Sequence, residues 1–137
     1  MDLYGSIAIS ASGMKAQSTR IRILSENVAN ASTGAITPED EPYVRKTVSF
    51  KNVLDRETGF DFVDINRIDE DRTQPFPTRY IPNHPGADEN GYVRMPNVNP
   101  LVEMNDMREA QRTFEANLGM IEQSRNMILQ TIGLLRQ

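Results

Sequence analysis

Carboxylates are the most conspicuous reactive groups in this 137-residue chain. Asp61, Asp64, Asp69, Glu70 and Asp71 form its densest acidic run, and carboxylates that converge in a cleft can act as general acid and base. Asp88-Glu89-Asn90-Gly91 has the composition of a calcium loop. Neither segment follows the alternating ligand positions of an EF-hand, and no second carboxylate or histidine motif completes a metal site. The run therefore reads as solvated loop charge. The enzymatic alternative is an acid-dependent hydrolase, with Asp64 the first residue to substitute. His84, bracketed by Asn83 and Pro85, suits a structural hydrogen bond better than base catalysis. The absence of cysteine removes disulfides, thiolate metal sites and cysteine nucleophiles, and one histidine cannot supply a multi-histidine cluster. No Gly-rich phosphate loop or nucleophile elbow is present. No catalytic residue, metal site or cofactor is expected.

Charge and hydropathy narrow the partners. Fifteen Lys plus Arg against 19 Asp plus Glu give a net charge of -4. That balance offers no broad basic footprint for nucleic acid, and no motif points to a small-molecule substrate. No run approaches the roughly 18 apolar residues that span a bilayer. Met1 to Ser12 lacks a basic n-region, so a cleaved signal peptide is not expected.

The elements that must position these groups fall into three parts. All eight prolines lie between Pro38 and Pro100, and seven of the nine aromatics lie in the same stretch. Both ends are proline-free. Residues 1–31 hold three bases and two acids, residues 32–99 eight and twelve, and residues 100–137 four and five, hence +1, -4 and -1.

At the N-terminal end, Ile7, Met14, Ile21 and Val28 recur every seventh position, with Leu3, Ala11 and Leu24 widening the stripe. Seven residues are two helical turns, so these side chains share one face. Several serines and Gly13 weaken helix propensity, so this helix is expected to need a partner. At the other end Met107, Phe114, Ile121, Ile128 and Leu135 repeat with the same spacing, flanked by Met104, Leu118 and Ile132. Asn99 and Pro100 read as N-cap and first helical residue, and Glu103 and Asp106 sit near the positive end of the dipole. Unbroken to Leu135, such a helix would be about 50 Å long. The second stripe is diluted by Gln111, Asn117, Ser124 and Thr131, as suits helices that bury their faces fully only in an assembly. The heptads alone also permit a soluble coiled-coil adaptor or binding module.

Between the ends, Tyr43 to Phe50 alternates as a half-buried strand, with Val44, Val48 and Phe50 on one face. Phe60 to Ile68 can form a second strand and Thr78 to Ile81 a short third, separated by Gly and Pro turns. The expected fold class is α+β. Long N- and C-terminal helices pack as a coiled-coil-like pair around a small, partly irregular β-rich middle, divided as 1–34, 35–98 and 99–137.

Two segments carry a resemblance. Ser25-Glu26-Asn27-Val28-Ala29-Asn30-Ala31-Ser32-Thr33 resembles the N-terminal signature of the bacterial flagellar rod and hook proteins. Asn97-Val98-Asn99-Pro100-Leu101-Val102-Glu103-Met104, continuing through Ala110, Arg112, Phe114, Ala116 and Asn117, resembles their C-terminal one. Thr33-Gly34-Ala35-Ile36 departs from the family in lacking an early aromatic. With Pro82-Asn83-His84-Pro85 and Gly91-Tyr92-Val93, the chain is similar to the basal-body rod proteins, and most of all to those of the proximal rod.

The resemblance implies a non-enzymatic subunit of the hollow axial shaft that transmits motor torque, with terminal helices inward and the middle module outward. Implied partners are copies of itself, other flagellar rod proteins, the MS-ring/rod junction protein, the rod cap and the flagellar type III export gate. Implied localisation is the basal body in the cell envelope, on its periplasmic side, after export without signal cleavage. The N-terminal segment would be disordered before assembly and fold on docking. Assembly contacts would fall on Ile7, Met14, Ile21, Asn27, Val28, Asn30, Met107, Phe114, Asn117, Ile121, Ile128 and Leu135. Asn27 and Asn30 would fix the exit of the first helix and bond to a neighbouring helix. Phe50 and Leu54 fit the Phe-x-x-x-hydrophobic pattern proposed for export-gate recognition, while a strand end explains Phe50 equally well.

Overall fold

The computed structural model describes residues 2–135. Its elements run α1 (Leu3–Ala29), β1 (Lys46–Leu54), β2 (Asp61–Glu70), β3 (Thr78–Tyr80), β4 (Tyr92–Arg94) and α2 (Pro100–Leu135). The class is α+β: two long terminal helices flank a middle with two small sheets, β1–β2 and β3–β4. The first strand begins at Lys46, three residues later than alternation predicts, and continues to Leu54. The third ends at Tyr80, and its antiparallel partner β4, unforeseen in the sequence, pairs Thr78 with Arg94, Arg79 with Val93 and Tyr80 with Tyr92.

Both helices start on side-chain caps. The Asp2 carboxylate accepts the Gly5 N–H at 3.0 Å. The Asn99 amide oxygen accepts the Leu101 N–H at 3.1 Å, with Pro100 in the first turn where no N–H is needed. The β1–β2 hairpin closes through Asp55. Its carboxylate takes the Glu57 N–H and the Thr58 hydroxyl, and its carbonyl takes the N–H of Gly59, whose φ of 72° suits glycine.

The chain forms two compact units. Among the described residues, one comprises 2–21, 49–67 and 108–135, the other 22–48 and 68–107. In the first unit α1 meets both α2 and the hairpin through small residues. A Cβ on Gly13 would lie 2.9 Å from the Asn117 amide nitrogen, and one on Gly5 only 2.4 Å from the Phe60 ring. The Ser12 hydroxyl accepts the Val63 N–H at 3.2 Å. The buried residues here are Gly5, Ser10, Ala16, Ala110 and Ser124, so the helices pack closely with few bulky side chains between them. The second unit has a mixed core of Ile23, Leu24, Ala35, Val44 and Val93 around buried Asn27 and Glu103.

Candidate assembly site

In the second unit the two terminal motifs meet. Asn27, in the last turn of α1, is fully buried. Its Nδ2 donates to the Lys46 carbonyl and to Glu103 Oε2, both at 2.8 Å. Its Oδ1 accepts the Lys46 N–H at 2.9 Å and the Tyr43 hydroxyl at 2.8 Å. An asparagine amide has two donors and two acceptor lone pairs, so its capacity is filled. Against Lys46 the amide engages both backbone groups, as a neighbouring strand would.

Glu103, in the first turn of α2, is 1% exposed and takes the Arg45 Nε proton at 2.6 Å. Arg45 NH1 reaches Asp71 at 3.3 Å. Burial alone would lower the guanidinium pKa, but the hydrogen bond and charge of Glu103, aided by Asp71, raise it. Asp71 is held below the ordinary carboxylate range first by the Thr73 hydroxyl and N–H and then by Arg45. Burial, with the charges of Glu26, Glu103 and Glu70, pushes the Tyr43 phenol up to about 12. Asn97, from the second motif, accepts the Arg45 N–H at 2.8 Å and donates to the Asp71 carbonyl at 2.7 Å. The Lys46 ammonium pairs with Glu26 and lies over the Tyr43 ring. The cluster thus joins the end of α1, the approach to β1, the exit of β2 and the start of α2. It is a clamp of mutually bonded side chains.

Asn30 plays a different part from Asn27. Its Nδ2 donates to the Glu26 carbonyl and its Oδ1 accepts the Thr33 hydroxyl, so it closes the exit of its own helix. Among the sequence-predicted stripe residues, Ile7, Met14, Ile21 and Val28 are half-buried, as are Met107, Phe114, Asn117, Ile121 and Ile128. Leu135 is 82% exposed. Met107 receives the Ser25 hydroxyl on its sulfur. On α2 the shielded series Glu103, Met107, Ala110, Phe114, Asn117, Ile121, Ser124 and Ile128 advances in alternating steps of four and three. That is a seam in which large apolar residues alternate with small or polar ones. Leu101, Val102, Met104, Leu118, Met120, Leu129, Ile132 and Leu134 remain exposed. Phe50 and Leu54 lie on exposed parts of β1.

Of the acidic run, Asp61 and Asp64 are exposed along β2, Glu70 pairs with Arg72, and Asp71 belongs to the clamp. His84 Nδ1 accepts the Gly86 N–H at 3.0 Å, the structural bond expected of it. Sequence reasoning missed Arg45, Tyr43, Asp71 and the burial of Glu103. Arg45 reads as the polar face of a strand, and Glu103 as a helix-dipole partner. Their only signal was that Asn97 and Glu103 belong to the second motif.

Residues 7–34 match the family described as flagella basal body rod protein, and residues 89–134 the family described as flagellar basal body rod FlgEFG protein C-terminal. The chain is 49% identical to the flagellar basal-body rod protein FlgC of Agrobacterium fabrum, over 93% of this chain and 91% of that one. The chain belongs to the FlgC family of flagellar basal-body rod proteins. Further FlgC relatives are those of Borreliella burgdorferi, 34% identical with 99% of both chains covered, and of Salmonella typhimurium, 33% identical with 98% of both covered. As a member of the FlgC family it is a structural subunit of the proximal basal-body rod and not an enzyme. The two matched segments meet in the clamp, Asn27 from the first and Asn97 and Glu103 from the second, while Tyr43, Arg45, Lys46 and Asp71 come from between them.

Proposed function

We propose that copies of this FlgC-family subunit, together with other rod proteins, assemble into a hollow axial shaft that transmits torque and passes later subunits along its bore. The observation that carries this reading is the apolar surface left on α2. Leu101, Val102, Met104, Leu118, Met120, Leu129, Ile132 and Leu134 stay exposed on one helix after the chain has folded. Surface apolar residues at that density mark interaction sites. A head-to-tail contact that does not close on itself generates a helical filament, and many small dispersion contacts along it resist shear.

In this reading residues 1–34 and 99–137 form the shaft and residues 35–98 face outward. Ile7, Met14, Ile21, Val28, Met107, Phe114, Asn117, Ile121, Ile128 and Leu135 belong to helix faces that neighbours complete, while Asn27 and Asn30 act inside the chain by fixing the helix exit. The MS-ring/rod junction protein, the rod cap and the flagellar type III export gate are the remaining partners, the last of them engaging Phe50 and Leu54 in the unfolded chain. The site of action is the cell envelope, on its periplasmic side.

The test is complementation of a strain lacking this chain. Met104→Asp with Leu118→Asp, both at exposed positions, leaves the helical circular-dichroism signal unchanged and abolishes rods in isolated basal bodies. Normal rods in that variant would refute the shaft reading of α2.

A further inference from the structure

The first turns of α1, Leu3–Ser12, are a poor helix by themselves. They hold three serines, one glycine and no charged residue, so neither propensity nor an ion pair one turn apart supports them. Their large side chains add little cover: Tyr4 is 74% exposed and Ile9 38%, and the buried positions are Gly5 and Ser10. The β1–β2 hairpin meets this stretch at two points. Phe60 lies so close over Gly5 that a Cβ there would be within 2.6 Å of two ring atoms, which seats the ring on the helix backbone itself. Two turns further on, the Ser12 hydroxyl accepts the Val63 N–H at 3.2 Å while donating to the Ile9 carbonyl at 2.7 Å, so one side chain ties β2 to the backbone of α1. The hairpin turn fixes where the ring goes, because Phe60 follows Gly59 directly and its carbonyl accepts the Asp55 N–H at 2.9 Å.

We infer that the far part of the β1–β2 hairpin is a strap that holds the first half of α1, with Phe60 as its positioning residue. Residues 49–67 group with the first part of α1 and the second part of α2, whereas residues 46–48 and 68–70 of the same two strands belong to the other unit. That division sets the strap apart from the rest of the middle segment. The middle segment then grips α1 at two places, near its start through the ring on Gly5 and in its last turn through Lys46 on Asn27. A short, weak helix gains order mainly from tertiary contact, and here the contact reaches the backbone because a glycine and a serine stand where a larger side chain would hold the hairpin away. The strap is a property of one chain and does not depend on the shaft reading.

Amide hydrogen exchange on the full-length chain reads the strap directly. Phe60→Ala speeds exchange of residues 6–12 about tenfold or more and leaves Asn27 and Val93 at the unmodified rate. Phe60→Leu, which keeps an apolar side chain over Gly5, restores most of the protection. A second arm tests the contact itself. Gly5→Ala lowers the thermal midpoint of the unmodified chain but raises that of the Phe60→Ala chain, where the added methyl meets no ring and improves helix propensity. The inference is overturned if residues 6–12 exchange as fast in the unmodified chain as in Phe60→Ala, or if Gly5→Ala has the same effect in both backgrounds. Release of residues 6–12 by Ile128→Ala, on the α2 side of Leu3 and Tyr4, and not by Phe60→Ala would overturn it as well, since α2 alone would then hold the helix start.

Discussion

Asn27 holds two backbone groups of Lys46, a phenol and a carboxylate at once, and each buried group it would leave unpaired costs about 1–3 kcal/mol. Two titratable members of the clamp, Tyr43 and Asp71, make it pH-dependent at both ends. Tyr43 donates its phenol proton to Asn27, and its pKa rises on folding from 10.0 to about 12. A pKa raised on folding stabilises fully below the unfolded value and is lost as pH climbs through the folded one. The Tyr43 contribution therefore fades from pH 10 towards about 12. Asp71 has the opposite sign: its carboxyl is held below 3.8, so its contribution is present above that pH and fades as pH falls below it. Urea unfolding measured against pH should give a plateau with an alkaline fall, and Tyr43→Phe should flatten that fall while leaving the acid limb unchanged. An alkaline limb of equal slope in the variant would show that Tyr43 is not its source.

At the level of elements, the weak propensity of α1 and the closeness of its packing have one cause. Serines and glycines that lower helicity also let α2 and the hairpin approach. Glycine substitutions should therefore change stability with opposite signs along the two helices. A Cβ at Gly5 would lie within 2.6 Å of two Phe60 ring atoms, so Gly5→Ala forces the ring to move and destabilises by about 1–3 kcal/mol despite better helix propensity. Gly119 has open space around its absent Cβ, so Gly119→Ala stabilises by about 0.5–1 kcal/mol. Thermal midpoints of the two variants check both signs. The long helices, the start of α2 at Asn99–Pro100 and the first three strands were legible from periodicity and capping. β4 was not, because three residues, Tyr92–Arg94, are too short to show alternation. The burial of small residues along the seam was also hidden. Ser10, Ala16 and Ser124 are buried while Leu129 and Leu134 are exposed, and burial of small residues follows from how near the partner helix comes.

For the whole molecule, the two units differ in what holds them. The first has a core of small residues, and α2 ends there in exposed leucines. The second surrounds its apolar core with the bonded clamp. Local opening is easiest where few apolar contacts are buried. Hydrogen exchange on the isolated subunit should therefore release the amides of residues 129–135 first and those of Asn27 and Val93 late. On assembly the 129–135 amides should become protected, because the surface around them is then covered. Equal protection of residues 129–135 in the isolated and assembled states would contradict their burial in the rod.

By itself the sequence determined the class and the family. Proline is confined to the middle because an interior proline costs a helix about 3 kcal/mol, and the heptad spacing and two terminal motifs need no coordinates to be seen. Only the tertiary structure decided what the motifs are for. Asn27 and Glu103 lie 76 residues apart, and nothing in local pattern indicates that an asparagine ending one helix will be saturated by a carboxylate opening another. A hydrogen bond depends on distance in space, whereas periodicity reports only which side of an element a residue occupies.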